Sequence, residues 1–370
     1  MSADDDLLKP LRERIDALDE QLLTLLNERA QCALEVGKIK EQPPAADQEA
    51  TVFYRPERVA QILRRLTGQN PGPLSNADVE TLFREITACC LGLETPMSVA
   101  YFGPQGTYTE AATLKQFGHF VQTLPMASID EVFREVESGV CDYGVVPVEN
   151  STEGMVNLTL DCLLNTNARV CAEVELPIHH ALMRAKEAAP DHQVSKIVSH
   201  AQSLAQCRAW LDQHYPGVPR TAVASNAEAA KQAAADPSLL AVAGEMAADR
   251  YDLRVLATRI EDNPHNKTRF LVLGRQYVGP SGDDKTSILV SVKNEPGALL
   301  RVLSPFQANQ IGLTRIETRP ARSGDWSYVF FIDFDGHESQ AEADAALKDV
   351  KDIALEVRVL GSYPKASGQE

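Results

Sequence analysis

Three cations on one predicted helix are the first residues whose spacing suggests chemistry. Arg29 and Lys40 stand eleven residues apart, about 20° of helical rotation and ~16.5 Å of rise. They share a face, and two long side chains leaning towards each other can clamp a small dianion. Arg12 lies seventeen residues before Arg29, or ~25 Å along the axis. It cannot reach the same small molecule within one chain, but in an antiparallel dimer it can reach the partner's clamp. Taken singly, each cation reads more readily as a solvated surface residue.

A second kind of chemistry is suggested where polar clusters follow apolar runs. Glu149, Asn150, Ser151, Thr152, Glu153 and Gly154 directly follow the run YGVVPV. The C-terminal ends of strands are where α/β sheets bind ligands. The same residues also make turns that satisfy only their own backbone. Ser199-His200-Ala201-Gln202 follows the run KIVS, with Gln206 one helical turn further on. Asn266-Lys267-Thr268-Arg269-Phe270 precedes FLVLG, where it reads equally as ordinary strand-edge chemistry. The turn from Gly103 to Thr109, GPQGTYT, offers backbone N–H groups to an anion or is simply a tight connection.

The elements that must hold these residues fall into three grammars. Residues 1–95 read as all helix. Apolar residues from Leu11 to Ile39 keep helical spacing, and Pro43 to Ala46 break it. A second helix is predicted from Pro56 to Gly68. A third begins near Ser75, where Ser75-x-x-Asp78 approximates a capping box. Residues 96–276 alternate strands and helices. The strands are Ser98–Phe102, Tyr143–Val148, Arg169–Leu176, Lys196–Ser199, Leu240–Ala243 and Arg269–Leu273. Gly279–Asp284 reads as a linker. Residues 285–363 then read β-α-β-β-α-β, the ferredoxin-like split unit. Its strands are Thr286–Val292, Gly312–Thr318, Ser327–Phe334 and Leu355–Leu360. Its helices are Gly297–Asn309 and Gln340–Val350. A first helix of ~34 residues spans about 50 Å, too long for three helices to close a core alone. A partner chain is expected, as an intertwined helical dimer or as a plain coiled-coil handle.

Composition narrows the class. The formal net charge is −16, which argues against non-specific binding to nucleic acid. No run of ~18 apolar residues is present, so no membrane contact is expected. The acidic start MSADDDLLKP lacks a basic-then-apolar leader, and a cytoplasmic location is expected. The seven cysteines are odd in number and contain no C-x-x-C, so reduced thiols are expected rather than a disulfide framework. His179 and His180 are adjacent, but no carboxylate or Cys cluster accompanies them, so no metal is expected.

Together the three segments resemble the bifunctional chorismate mutase–prephenate dehydratase family over nearly the whole chain. The resemblance implies three domains: a helical mutase (1–95) that forms an intertwined dimer, a two-lobed, periplasmic-binding-protein-like α/β dehydratase (96–276), and a ferredoxin-like ACT regulatory domain (285–363). It implies chorismate and prephenate as substrates, phenylalanine as allosteric inhibitor, no cofactor, and a homodimer at minimum with a tetramer open. The family's mutase cations fall on Arg12, lent by the other protomer, and on Arg29, Lys40 and Arg58. A Glu expected after Arg58 is Val59 here, which implies reduced mutase efficiency. Cys90 stands where Ser is common. Glu94 stands where a Gln or Glu donates to the breaking ether oxygen, a task that requires it protonated and so placed near apolar groups. In the dehydratase, Thr268 matches the essential threonine, and Asn150 and Gln206 match polar site residues. Glu149, Ser151, Ser199, Gly106 and Thr107 are expected to complete the pocket. Asn294, Gly297, Ala298, Leu299 and Leu300, with Glu317, Thr318 and Arg319, match the two phenylalanine motifs. Leu300 and Thr318 are conservative departures from the family's usual residues.

Overall fold

The computed structural model describes residues 3–41, 52–188, 193–320 and 328–366. They form two compact units: Met1–Arg55, Ile62–Met97 and Phe117–Gln122 in one, and the remainder in the other. The break at Pro43–Ala46 and the strand start at Ser327 lie outside the described residues.

The helical unit is built on α1 (Ala3–Lys40), the part of α2 (Pro56–Gly68) from Ile62 onward, and α3 (Asn76–Glu94). At 38 residues, α1 is ~57 Å long. Pro56 opens α2 at the position where a missing N–H costs nothing. Ser75 caps α3 in a complete capping box. Its hydroxyl accepts the Asp78 N–H at 3.1 Å, and the Asp78 carboxylate accepts the Ser75 N–H at 3.1 Å. α1 and α3 run side by side in the same direction, and Gly37 sets their spacing: a Cβ there would stand 3.1 Å from Glu94 Cα. One stripe of α1 has no cover among the described residues. Leu8, Leu11, Ile15, Leu18, Leu22 and Leu25 are all exposed, and their spacing of three and four is that of a coiled-coil seam.

The other unit opens with β1 (Ser98–Phe102), α4 (Tyr108–Phe117), β2 (Gln122–Met126), α5 (Ile129–Ser138), β3 (Tyr143–Asn150), β4 (Gly154–Met155), α6 (Asn157–Leu163) and β5 (Arg169–Pro177). A second lobe follows: β6 (Ala181–Ala185), β7 (Lys196–His200), α7 (Ala201–Gln206), α8 (Arg208–His214), β8 (Arg220–Val223), α9 (Asn226–Ala235), β9 (Leu239–Ala243), α10 (Glu245–Arg250) and β10 (Leu253–Ala257). The chain then returns to the first lobe as β11 (Lys267–Gly274). The first sheet has order β2-β1-β3-β11-β5, with β4 beside β3, and the second β10-β6-β9-β7-β8. β11 is antiparallel to both its neighbours and pairs Thr268 with Asn150. The returning strand thus brings two distant polar clusters together.

The last segment is β12 (Asp284–Val292), α11 (Ala298–Ala308), β13 (Leu313–Pro320), β14 (Tyr328–Asp335), α12 (Ala341–Ile353) and β15 (Glu356–Pro364), in sheet order β13-β14-β12-β15. Its two faces have different jobs. Ile288, Val290 and Val292 on β12 pack under α11 and α12. Leu289, with Phe331, Leu360 and Tyr363, joins the core of the first lobe. The two-residue period of a strand makes this division. Gly361 permits the close seating, since a Cβ there would collide with the Val170 carbonyl. The expected linker at 279–284 is instead part of this docking: Ser281 and Asp284 are buried, and the Asp284 carboxylate accepts the N–H groups of Ser281 and Gly282.

Candidate active sites

Thr268 and Asn150 form the centre of the α/β unit. Asn150 Nδ2 donates to the Thr268 hydroxyl oxygen at 2.8 Å, while its Oδ1 accepts the N–H groups of Thr152 and Glu153 at 3.0 and 3.1 Å. The Asn thus makes its own turn and also orients the threonine. Among the described residues the Thr268 hydroxyl hydrogen has no acceptor. Ser151 binds the Lys267 N–H and Asn266 Oδ1 at 2.9 and 3.2 Å, which pins the turn to the start of β11. Asn266 Nδ2 donates to Gln206 Oε1 at 3.2 Å, and that oxygen also lies 2.9 Å from His180 Nε2. Gln206 Nε2 is buried with no partner among the described residues. An unmet donor of this kind is costly unless a ligand satisfies it.

His180 organises the far side of this network. Its Nδ1 lies 2.9 Å from the Tyr108 hydroxyl, which donates to the His179 carbonyl at 2.7 Å. Its backbone N–H donates to Glu261 at 2.8 Å. Burial pushes the His180 imidazole below its ordinary value, so it is neutral at physiological pH. Tyr108 belongs to the first lobe and Gln206 to the second, so the network spans both.

In the helical unit, Arg29 reaches across to α3, donating to the Ile86 carbonyl at 3.4 Å and the Thr87 hydroxyl at 3.3 Å. Lys40 donates to Glu94 at 2.8 Å and to the Phe53 carbonyl at 3.2 Å. Arg29, Lys40 and Glu94 therefore line the seam between α1 and α3, and Cys90 is buried on the same helix as Glu94. Arg12 is exposed further up α1. Arg58 and Val59 lie in the first turn of α2, which is counted with the other unit; the former is exposed and the latter half-buried.

In the C-terminal segment, Gly297 takes φ +78° as the residue before α11, a conformation that only glycine adopts without strain. Asn294, Leu299 and Leu300 beside it are exposed, and Ala298 is buried. Glu317, Thr318 and Arg319 lie on the edge strand β13, where inward and outward residues alternate. Arg319 faces inward and binds Asn157 Oδ1 at 2.8 Å and Asp161, both on α6.

Three family models match the chain in sequence. Chorismate mutase type II covers residues 11–95, prephenate dehydratase 99–277 and the ACT domain 286–352. A bifunctional chorismate mutase/prephenate dehydratase of Pseudomonas aeruginosa is 56% identical over 364 residues, covering 98% of this chain and 99% of that one. The chain belongs to the bifunctional chorismate mutase/prephenate dehydratases. Another member, from Neisseria gonorrhoeae, is 45% identical over 364 residues, covering 98% of each chain. The crystal structure of a prephenate dehydratase from Arthrobacter aurescens in complex with L-Phe matches with a TM-score of 0.67 at 34% identity, over 74% of this chain and 91% of that one.

The geometry redistributes several of the residues expected at the sites of a chorismate mutase/prephenate dehydratase. Glu149 points away from Thr268. It sits on the opposite face of β3 from Asn150 and approaches Arg269 and Arg315 at 3.8 and 4.0 Å. Ser199 is fully buried, and its hydroxyl donates within the second lobe to the Val242 carbonyl at 2.5 Å. The Gly106 N–H is already bound to the buried Glu110 carboxylate at 2.6 Å, and the Thr107 hydroxyl accepts the Glu110 N–H at 3.4 Å. The anion for that turn comes from α4 itself, and Arg250 of α10 balances it at 2.5 Å. Glu94 lies against an ammonium group rather than among apolar groups. His180, Tyr108 and Asn266 join the site without a motif of their own, the histidine through hydrogen bonds rather than a metal.

Proposed function

We propose that the chain catalyses two consecutive reactions of phenylalanine formation: chorismate to prephenate in the helical unit, then prephenate to phenylpyruvate, water and CO2 in the α/β unit. Phenylalanine inhibits through the ACT segment. The observation that carries this reading is the Thr268 hydroxyl, which accepts from Asn150 and keeps its own hydrogen for a ligand. As prephenate aromatises, the electrons of the bond to its ring carboxylate move into the ring and CO2 departs. The hydroxyl opposite leaves with the Thr268 proton as water, and solvent restores that proton. Aromatisation drives the step, so a weak acid held in the right place suffices. Gln206 supplies a further donor to the substrate.

The mutase reaction moves no proton and needs no nucleophile. Arg29 and Lys40, with Arg58 and the partner's Arg12, hold the dianion compact and stabilise charge on the ether oxygen. A substrate carboxylate takes the place of Glu94 beside Lys40, and Glu94, on taking up a proton from solvent, donates to the ether oxygen. The open leucine stripe of α1 supports a homodimer as the assembly that completes this site. Val59 supports a second reading, in which the mutase is weak and the helical unit serves mainly to dimerise. Feeding chorismate and prephenate separately, with and without phenylalanine, separates the two. Conversion of prephenate alone identifies the weak mutase, and conversion of neither sinks the proposal.

A further inference from the structure

Strand alternation gives Thr268 and Asn150 each a neighbour on the opposite face of the sheet. Behind Thr268 is Arg269, and behind Asn150 is Glu149. Arg269 is only 9% exposed. It donates to Glu173 at 2.7 Å, to Asp333 at 2.8 Å and to the Tyr363 hydroxyl at 3.0 Å. Asp333 and Tyr363 belong to the ACT segment. The same Asp333 oxygen lies 3.2 Å from Arg315 Nε, an ion pair without hydrogen-bond geometry, and the other accepts the Ser287 hydroxyl at 2.6 Å.

Arg315 is on β13, two residues before the Glu317-Thr318-Arg319 motif. Its Nη1 also reaches Met155 Sδ at 3.4 Å. With Arg319 on Asn157 and Asp161, β13 grips the chain just beyond the Asn150 turn at two points. One carboxylate, Asp333, therefore joins the effector strand to the residue bonded to Thr268. Three cations (Arg269, Lys285, Arg315) face three carboxylates (Glu149, Glu173, Asp333) here. Buried charges cannot be parted cheaply, so a displacement of β13 is transmitted rather than absorbed. A recess of about 200 Å³ opens beside Glu149, Arg269, Lys285 and Arg315. Glu149 stands 3.8 and 4.0 Å from the two guanidinium groups, beyond hydrogen-bond range, so it is held by charge alone and is free to follow a shift of either.

We propose that Arg315 and Asp333 couple effector binding on β13 to the dehydratase site, Asp333 passing the shift to Arg269 and Thr268, and Arg315 passing it to Glu149 and Asn150. The inference rests on the reading that phenylalanine binds the ACT segment and inhibits.

The test uses the full chain and measures two quantities: phenylalanine binding by calorimetry, and the phenylalanine needed to halve prephenate turnover. Arg315→Met is expected to turn over prephenate and bind phenylalanine within about threefold of wild type, while half-inhibition requires roughly tenfold more phenylalanine or is lost, the size of a typical coupling. Arg315→Lys, which keeps the charge without the planar fork, should fall between them. If Arg315→Met does not fold, Ser287→Ala loosens Asp333 from a neutral position and should shift half-inhibition in the same direction. Variants inhibited at the wild-type concentration overturn the coupling alone. A wild-type chain that neither binds nor responds to phenylalanine overturns the regulatory reading and the coupling with it.

Discussion

In the helical unit, Arg29 and Lys40 reach from one helix to another while the apolar stripe of that same helix lies open. In the α/β unit, the groups around Thr268 are each held by a neighbour, and the cores of the dehydratase lobes are closed. The contrast follows from the two reactions. A pericyclic rearrangement asks only that positive charge surround a compact dianion, so its site can be assembled from separate chains. An elimination asks that one hydroxyl hydrogen point in one direction. That demand is met by hydrogen bonds inside a single fold.

The contrast is most sharply tested at Thr268. Thr268→Ala is expected to slow phenylpyruvate formation by about 10²–10⁴-fold, with chorismate consumption unchanged and Thr268→Ser restoring much of the loss. Turnover close to wild type would break the assignment. Next, the pair Leu18→Lys and Leu22→Lys should give monomers by sedimentation. Chorismate turnover should drop on the order of 10²-fold, the cost of losing one transition-state stabiliser, and prephenate turnover should hold. Equal loss of both activities would show that the two units are not independent.

A smaller effect concerns pH. Because burial lowers the pKa of His180, the unfolded chain binds this proton more readily than the folded one. Stability from the neutral ring is present above the unfolded value, about 6.5, and declines as pH falls below it towards the folded value. Thermal melts of wild type between pH 7.5 and 5.5 should fall more steeply than those of His180→Gln. His179 faces Glu261 at 2.7 Å, so His179→Gln serves as the control. The smallest expected change is a gain. Val59→Glu should raise chorismate turnover about fivefold, the worth of one net hydrogen bond. No gain would remove the reason to call the mutase weak.

How much of this was legible in the sequence depended on whether the signal was local. The run from Leu11 to Ile39, the Ser75-x-x-Asp78 cap and YGVVPV carry their structure in neighbouring residues, and those elements were read within a few residues. β2, β8 and β10 were missed because each is a sheet edge without a continuous apolar run. β6, interior but carrying a buried Arg184, was missed as well. At the dehydratase site, the Thr268 and Asn150 positions stood out by motif. Glu149 did not reveal its direction, because adjacent residues on a strand face opposite ways. His180 and Gln206 are 26 residues apart and meet only through the fold. The Gly106 turn looked open to a ligand because nothing local marks Glu110 as its occupant.

The pairing of Thr268 with Asn150 on alternating strands also limits how this protein can vary through evolution. Substitutions at Arg269, Glu149 or Asp333 can retune control without touching the acid. A change in chain length cannot be so selective. One residue gained or lost inside β11, between Arg269 and the buried run that follows it, would turn Thr268 towards the regulatory sheet and Arg269 towards the substrate at the same moment. Relatives should therefore differ freely in side chain around this strand and hardly at all in the number of residues within it.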